Sequence, residues 1–324
     1  MLKHFLLIAV CALLMTGCGP GAQDPAGKTT IAVIPKGTTH EFWKSVHAGA
    51  RKAADELDVR IIWKGPLKES DREAQIKVVE DFITRGVDGI VLAPLDDVAL
   101  RAPVQNASRL GIPVVIIDSA LKSDAQVSFV ATDNYRGGKI AGDHLAELLD
   151  GEGRVVMLRY QEGSASTMNR EKGFLDAVKE HEGIEVVSAN QYGGATTESA
   201  YQAGENLLSP LKTEGGLSID GIFCPNESTT FGMLRALQES GLAGKVRFVG
   251  FDASAKLVEA MRDGEIDALT VQNPMRMGYL GVKTMIRHLR GEDVRSRIDT
   301  GVTLVTPEKM DEPKIQQLLD PDLE

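Results

Sequence analysis

Polar side chains stand directly after short apolar runs at several points of this sequence. Asp118 and Ser119 follow the run 114–117, and Asp252 follows the run 249–251. Carboxylates accept hydrogen bonds from neighbouring hydroxyl groups, an arginine donates to oxygens, and an aromatic face covers apolar C–H surface. Such side chains, gathered at one place, predict a binding site for a sugar or a similar small polar molecule.

The candidate ligand-binding residues share these chemical types. They are His40, Phe42, Trp43, Asp118, Ser119, Arg170, Asn226, Glu227, Asp252 and Gln272. The aspartates and Asn226 could instead cap helices or turns, with Ser228 and Ser254 as competing caps. Because adjacent residues on a helix point in different directions, one of Phe42 and Trp43 could face the core while the other faces the ligand.

Apolar runs alternate along the chain with segments of helical spacing. Val46, Ala50, Ala53 and Leu57, for example, recur at helical intervals. Strands are predicted at 30–34, 59–63, 89–93, 114–117, 154–158, 184–188, 221–224, 247–250 and 268–271. In the second half, helices are predicted at about 168–181, 197–208, 229–240 and 254–263. Strands that alternate with helices in this way form parallel sheets.

This pattern predicts an α/β protein with two Rossmann-like, doubly wound parallel-sheet lobes, because about 300 residues exceed what one core normally serves. We expect three crossovers to form a hinge. The N-terminal lobe would comprise 29–132 and 273–302, and the C-terminal lobe 133–272 and 303–324. In open parallel sheets, ligands bind beyond the carboxyl ends of the strands. The candidate residues therefore belong in the interlobe cleft, and this position favours binding over capping.

An export signal is predicted at 1–17. Lys3 precedes an apolar run at 5–15 that is too short to span a bilayer, and small residues precede Cys18. We expect cleavage before Cys18, a lipid on its thiol, and a flexible tether over 18–28. An ordinary signal cleaved elsewhere, with Cys18 incidental, is the alternative. The mature chain would lie in the periplasm or at the outer face of the cytoplasmic membrane, held there by its lipid anchor.

Composition and missing motifs exclude several functions. The formal net charge of -10 disfavours nucleic acid as a partner. With Cys11 in the signal and Cys18 acylated, Cys224 has no partner for an internal disulfide, and the six scattered histidines show no metal-binding spacing. The glycines of 151–153 precede a strand and lack the third glycine of a dinucleotide motif, and no serine elbow is present. We therefore expect no metal, no cofactor and no enzymatic activity.

Five stretches together resemble the ribose/galactose-type periplasmic binding proteins, the type I sugar-binding family that shares its fold with the cores of LacI-type repressors. They are FWKSVHAGA at 42–50, GIPVVIID at 111–118, TDNYRGGK at 132–139, NREKGF at 169–174 and VGFD at 249–252. The resemblance implies that Phe42 and Trp43 stack on a sugar, that Asp118 binds hydroxyls, and that Arg170 is a pocket arginine. It also implies polar pocket roles for Asn226, Asp252 and Gln272.

Three positions depart from the ribose binders that this sequence resembles. Ala93 stands where they carry Asn, Ser119 where they carry Arg, and Ala195 where an aromatic residue is expected. Smaller side chains leave room, so a larger or differently substituted sugar is at least as plausible as a pentose. His40 and Glu227 are candidate substitutes that reshape the polar contacts.

The expected role is that of a monomeric solute-binding protein that closes about its ligand and delivers it to the membrane permease of an ABC transporter. A binding component for a chemoreceptor or sensor kinase is an alternative role. An amino acid is an alternative ligand, with Arg170 binding the carboxylate and Asp118 or Asp252 the amine.

Overall fold

The computed structural model describes residues 27–321 of the 324-residue chain. The predicted signal peptide, Cys18 and most of the predicted tether lie outside the described residues. Within 27–321, no helix is both long enough and apolar enough to cross a membrane.

The chain forms two six-stranded sheets and one short hairpin. Residues 30–131 contain β1 (Thr30–Ile34), α1 (Glu41–Leu57), β2 (Arg60–Trp63), α2 (Arg72–Arg85), β3 (Gly89–Leu92), α3 (Arg101–Arg109), β4 (Val114–Ile117) and β5 (Ser128–Ala131). Residues 134–272 contain α4 (Asn134–Leu148), β6 (Glu152–Arg159), α5 (Ala165–Val178), β7 (Gly183–Tyr192), α6 (Thr197–Leu208), β8 (Lys212–Thr213), β9 (Gly216–Leu217), β10 (Gly221–Phe223), α7 (Glu227–Glu239), β11 (Arg247–Phe251), α8 (Ala255–Arg262) and β12 (Ala268–Gln272). The remaining elements are α9 (Pro274–Leu289), β13 (Arg297–Asp299), β14 (Val302–Val305) and α10 (Pro313–Leu319).

The two large sheets have equivalent strand orders. The first reads β13-β5-β4-β3-β1-β2 and the second reads β14-β12-β11-β10-β6-β7. All neighbours in them pair in parallel except β14, which runs antiparallel to β12. The predicted α/β class with two parallel-sheet lobes is confirmed. Because the orders match, β4 in the first lobe corresponds to β11 in the second.

The chain changes sheets three times. It leaves the first sheet after β5, returns after β12, and crosses again between β13 and β14. Asp133 and Asn273 stand at the first two crossovers and cap α4 and α9, each accepting a hydrogen bond from a backbone N–H of the first turn. Val302, predicted in the N-terminal lobe, pairs with Gln272 in the second sheet. The third crossover therefore lies about two residues earlier than predicted.

Close helix pairs brace each lobe. A Cβ added at Gly278 of α9 would lie 1.9 Å from the carbonyl oxygen of Val46 in α1, so a larger residue cannot occupy this contact. In the second lobe, a Cβ at Gly138 of α4 would lie 1.8 Å from the carbonyl oxygen of Arg170 in α5. Gly138 thus lets α5 approach closely enough to fix the backbone of Arg170.

Candidate functional site

The carboxyl ends of both sheets face one interlobe cavity. Nine of the ten predicted ligand-binding residues line it, and Ser119 lies beside it. Ser119 is buried, and its hydroxyl accepts a hydrogen bond from the backbone N–H of Ser166 in the other lobe at 3.0 Å. Five further lining residues were not predicted. They are Lys36, Glu69, Tyr160, Ser166 and Thr167.

Asp118 and Asp252 occupy equivalent places in the two lobes. Asp118 follows β4 and Asp252 follows β11, and both have the left-handed backbone conformation, with φ of 63° and 69°. This conformation is uncommon for residues other than glycine. It turns the chain at the end of each strand and is a local strain of the kind that clusters at binding sites. Each lobe thereby presents one buried carboxylate to the cavity.

A cation from the same lobe accompanies each carboxylate. Lys36 Nζ lies 2.7 Å from Asp118 Oδ2, and Arg170 Nη1 lies 3.6 Å from Asp252 Oδ2. Lys36 also donates to the hydroxyl of Ser166 across the cleft at 2.9 Å. The site therefore balances much of its charge internally, which suits a neutral polar ligand.

Arg170 is held on several sides. Its Nε donates to Asn134 Oδ1 at 2.8 Å and its Nη1 donates to the carbonyl oxygen of Pro225 at 2.9 Å. The guanidinium lies over the ring of Phe251 at 3.9 Å from the centroid. These contacts fix its orientation and occupy two of its donor atoms.

Glu69 joins three site residues. Its Oε1 accepts from Trp43 Nε1 at 2.6 Å and lies 2.8 Å from His40 Nδ1, and its Oε2 accepts from the Tyr160 hydroxyl of the other lobe at 2.5 Å. Burial alone would lower the pKa of His40, but the carboxylates of Glu69, Glu227 and Asp252 together outweigh it, and the pKa rises to about 9. Burial would raise the pKa of Glu69, yet His40 and Lys36 lower it to about 2. The two form a charged pair at neutral pH.

Phe42 and Trp43 both line the cavity. Both rings are buried, and they meet edge to face with their centroids 4.9 Å apart. The two rings make the first-lobe wall of the cavity partly apolar. The Glu69 carboxylate orients the indole N–H of Trp43. Of the alternatives open from the sequence, neither residue is confined to the core.

The other predicted residues serve local structure as well as lining the cavity. Asn226 caps α7, because its Oδ1 accepts from the backbone N–H of Thr229 at 3.2 Å. Gln272 Nε2 donates to Asp252 Oδ1 at 2.6 Å. The Glu227 carboxylate accepts from backbone N–H groups of the first lobe, and burial raises its pKa to about 7 against the opposing charge of His40.

Two buried acceptors in the cavity have no hydrogen-bond donor among the described residues. They are Gln272 Oε1 and Asp118 Oδ2. Asp118 Oδ2 is at ion-pair distance from Lys36 Nζ, but the angle of approach is unsuitable for a hydrogen bond. A buried acceptor without a polar partner, such as Gln272 Oε1, costs about 1–3 kcal/mol, whereas the Lys36 cation compensates part of this cost at Asp118 Oδ2. Hydroxyl groups of a ligand would satisfy both atoms.

The cavity is narrow in this conformation. The space open to the centre of a water-sized sphere is about 30 Å³, and one water molecule needs roughly 10–15 Å³ on this measure. A wider crevice of about 580 Å³ adjoins it and shares Phe42, Asp252 and Gln272. Entry of a ligand larger than water therefore requires the lining side chains to separate. Within 27–321, no cluster of three or more His, Cys, Asp or Glu side chains could hold a metal ion.

Comparisons with known proteins agree with this geometry. The model of a periplasmic binding protein domain matches residues 31–293. The chain is similar to the ribose import binding protein of Haemophilus influenzae, with 30% identity over 301 residues, 93% of this chain and 98% of that protein. It is 28% identical over 315 residues to the D-ribose/D-allose-binding protein of Pseudomonas aeruginosa, which covers 93% of this chain and 96% of that protein.

Two solved structures are also similar. A carbohydrate transporter solute binding protein from Agrobacterium radiobacter, in complex with D-arabinose, has a TM-score of 0.85 and 36% identity, covering 90% of this chain and 99% of that one. An ABC transporter solute binding protein from Agrobacterium vitis, with bound D-fucose, has a TM-score of 0.85 and 35% identity over the same shares of the two chains.

Proposed function

The chain belongs to the family of periplasmic binding protein domains, and we propose that it is the exported binding component of an ABC-type sugar importer, with a monosaccharide as its ligand. The observation that carries this proposal is the pair of buried acceptors, Asp118 Oδ2 and Gln272 Oε1, which face a cavity with an aromatic wall. Sugars supply the hydroxyl donors that these acceptors need, and the C–H surface that the aromatic residues cover. The chain is a binding protein and not an enzyme.

The ten predicted residues divide by the part each plays in this proposal. Asp118 and Gln272 accept from sugar hydroxyls, Arg170 and Asp252 form the second-lobe wall, and Phe42 and Trp43 form the apolar wall. The remaining predicted residues, His40, Ser119, Asn226 and Glu227, shape the cavity through their protein contacts. Lys36 and Glu69 join the set because both are buried in the same cavity.

The three departures from ribose binders leave the identity of the sugar open. Ala93 and Ala195 are buried, and neither lines the cavity. Ser119 is engaged across the cleft by Ser166 rather than directed at a ligand. The related proteins carry names or bound molecules that include ribose, allose, arabinose and fucose. We propose a pentose or a hexose in this site.

Closure about a hinge accompanies binding in this proposal. Residues of both lobes line the cavity, so a sugar contacts all of them only when the lobes are together. In addition, the backbone N–H of Asp97 donates to the carbonyl oxygen of Gly163, and Arg72 donates to that of Glu162, both at 2.9 Å and both across the cleft. The three crossovers near 132–133, 273 and 300–301 form the hinge.

Anchoring by a lipid on Cys18, after removal of a signal at 1–17, and action as a monomer complete the proposal. Its support is the sequence alone, because Cys18 lies outside the described residues. Palmitate labelling of the expressing bacterium is expected to mark the wild type but not Cys18→Ala. Equal label in both would rule out the lipid anchor without affecting the binding fold.

Among the alternative ligands, amino acids are disfavoured by the contacts of Arg170. Its Nε and Nη1 already donate to Asn134 and to Pro225, so it is poorly placed to bind a carboxylate with two parallel hydrogen bonds. The position of Asp252 near the guanidinium adds a competing negative charge. A neutral hydroxylated ligand meets neither obstacle.

A thermal-shift screen tests the proposed function. The panel is D-ribose, D-allose, D-arabinose, D-fucose, myo-inositol, adenosine, and the amino acids glycine and L-serine. A ligand that binds only the native state raises the melting temperature, by an amount equivalent to about 2.7 kcal/mol at 100 times the dissociation constant. We expect at least one monosaccharide to do so, with confirmation by calorimetric titration. A shift with amino acids and with no sugar would overturn the proposal.

A further inference from the structure

Two helices begin at the cleft without a side-chain cap from their own N-cap residue. Helix α1 follows His40, and α8 follows Ser254; neither of these side chains accepts a hydrogen bond from the first turn. The first N–H groups of a helix have no partner within the helix and carry a partial positive charge. An acceptor from elsewhere is therefore favourable at both places.

A glutamate of the opposite lobe supplies each acceptor. The carboxylate of Glu227, in the second lobe, accepts from the backbone N–H groups of Glu41 and Phe42 at the start of α1, both at 3.2 Å. The carboxylate of Glu41, in the first lobe, accepts from the backbone N–H of Ala255 at the start of α8, at 3.3 Å. Each lobe thus caps a helix of the other.

From this reciprocal arrangement we propose that Glu41 and Glu227 form a closure latch, in which mutual capping of α1 and α8 stabilises the closed form independently of which sugar is bound. The inference rests on the proposed hinge closure and assigns two positioning residues to it. Glu41 lies outside the sugar cavity and lines the adjoining wider crevice, so we assign its contribution to the lobe contact. Glu227 lines the cavity, but its two oxygens are already directed at α1.

The expected size follows from capping. Loss of a cap costs roughly 0.5–2 kcal/mol, which is about a 2- to 30-fold change in an equilibrium constant. Burial raises the pKa of Glu227 to about 7, so desolvation offsets part of its contribution. We expect Glu41→Ala to weaken sugar binding by about 2- to 10-fold and Glu227→Ala by about 5- to 30-fold, mainly through faster dissociation.

Hydrogen exchange and sugar dissociation rates test the latch in the full chain. Exchange of the backbone amides of Glu41, Phe42 and Ala255 is measured with and without D-ribose, D-allose, D-arabinose and D-fucose. Dissociation rates are measured for each sugar that binds. Glu198→Ala is the matched control, because Glu198 is also a first-turn glutamate but pairs with Arg235 of its own lobe at 3.6 Å.

The latch predicts one pattern of results. Glu227→Ala speeds exchange at Glu41 and Phe42, Glu41→Ala speeds it at Ala255, and both raise the dissociation rates of different sugars by the same factor. Glu227→Gln, which keeps one acceptor oxygen, falls between wild type and Glu227→Ala. Glu198→Ala behaves as wild type in both measurements.

Other results separate the latch from the sugar site. Wild-type exchange and dissociation rates in both alanine variants would overturn the latch and leave sugar binding intact. Factors that differ strongly between sugars would replace the latch with direct ligand contact. If no sugar binds, the exchange data still decide: faster exchange in the variants supports the latch while the proposed function fails, and unchanged exchange overturns the latch as well.

Discussion

Replacement of Glu69 by Ala is expected to destabilise the first lobe strongly. The change leaves the His40 cation buried without its partner, and it removes the acceptor for the side-chain N–H of Trp43 and the hydroxyl of Tyr160. Removal of one partner from a buried ion pair costs about 3–5 kcal/mol. At about 2–4 °C per kcal/mol for a unit of this size, the melting temperature falls by roughly 6–20 °C.

The pH dependence of this loss of stability shows whether the ion pair between His40 and Glu69 is its cause. In the wild type, the pKa of His40 is raised from 6.5 to about 9, so the pair contributes fully below pH 6.5 and its contribution is lost as pH rises through 9. In Glu69→Ala, burial instead lowers the pKa of His40, and the protein is penalised as pH falls below 6.5. Both effects make the difference between the two proteins larger at pH 6 than at pH 9.

Urea unfolding at pH 6 and pH 9, followed by circular dichroism, measures the difference in free energy. Glu73→Ala is the control, because Glu73 is an exposed residue a few positions along the same segment, and we expect it to change stability by no more than about 0.5 kcal/mol. Glu69→Gln keeps one acceptor oxygen, so its free energy of unfolding should fall by less than that of Glu69→Ala. A loss below about 1 kcal/mol at pH 6, or an equal loss at both pH values, would refute the role assigned to this carboxylate.

The remaining predictions concern binding. Asp118→Ala and Arg170→Ala should each weaken sugar binding by about 10- to 150-fold in calorimetric titration while the protein stays folded. The reason is that a charge-assisted hydrogen bond is worth about 1.5–3 kcal/mol. Wild-type affinity in both folded variants would contradict the assignment of these two residues to the sugar site. Affinity should fall as pH rises from 6 to 8, because burial against the first lobe raises the pKa of Glu227 to about 7. A dissociation constant that does not change with pH would contradict this. Ligand should change tryptophan fluorescence less in Trp43→Phe than in wild type and reduce the radius measured by small-angle scattering; an unchanged radius at saturation would refute hinge closure.

The sequence was sufficient to predict the strands that end at the cleft. The predicted strands at 30–34 and 114–117 coincide with β1 and β4, and the others agree to within a few residues. Strands buried on both faces are continuous apolar runs, and such runs stand out between amphipathic helices. β5, β13 and β14 were not predicted, because each is a strand of three or four residues near the hinge that includes polar residues. The two-residue strands β8 and β9 were not predicted either.

Much of the candidate site was predictable by one rule, that polar residues at strand ends meet at the cleft. The same rule could have found Lys36 and Tyr160, which lie within two residues of the ends of β1 and β6. It could not have found Glu69, which lies in a loop six residues after β2. Only the folded path of that loop brings this carboxylate to His40 and Trp43. The capping of helices across the cleft was likewise invisible, because it depends on how the lobes meet.

The interleaving of the two lobes determines when each can fold. The first sheet needs β13, which pairs with β5 across about 170 residues of intervening chain, and α1 packs against α9. During synthesis, the N-terminal lobe therefore cannot be completed until the C-terminal sheet strands through β12 have been made. Contacts so distant in sequence slow folding, because the connecting chain must lose entropy before they form.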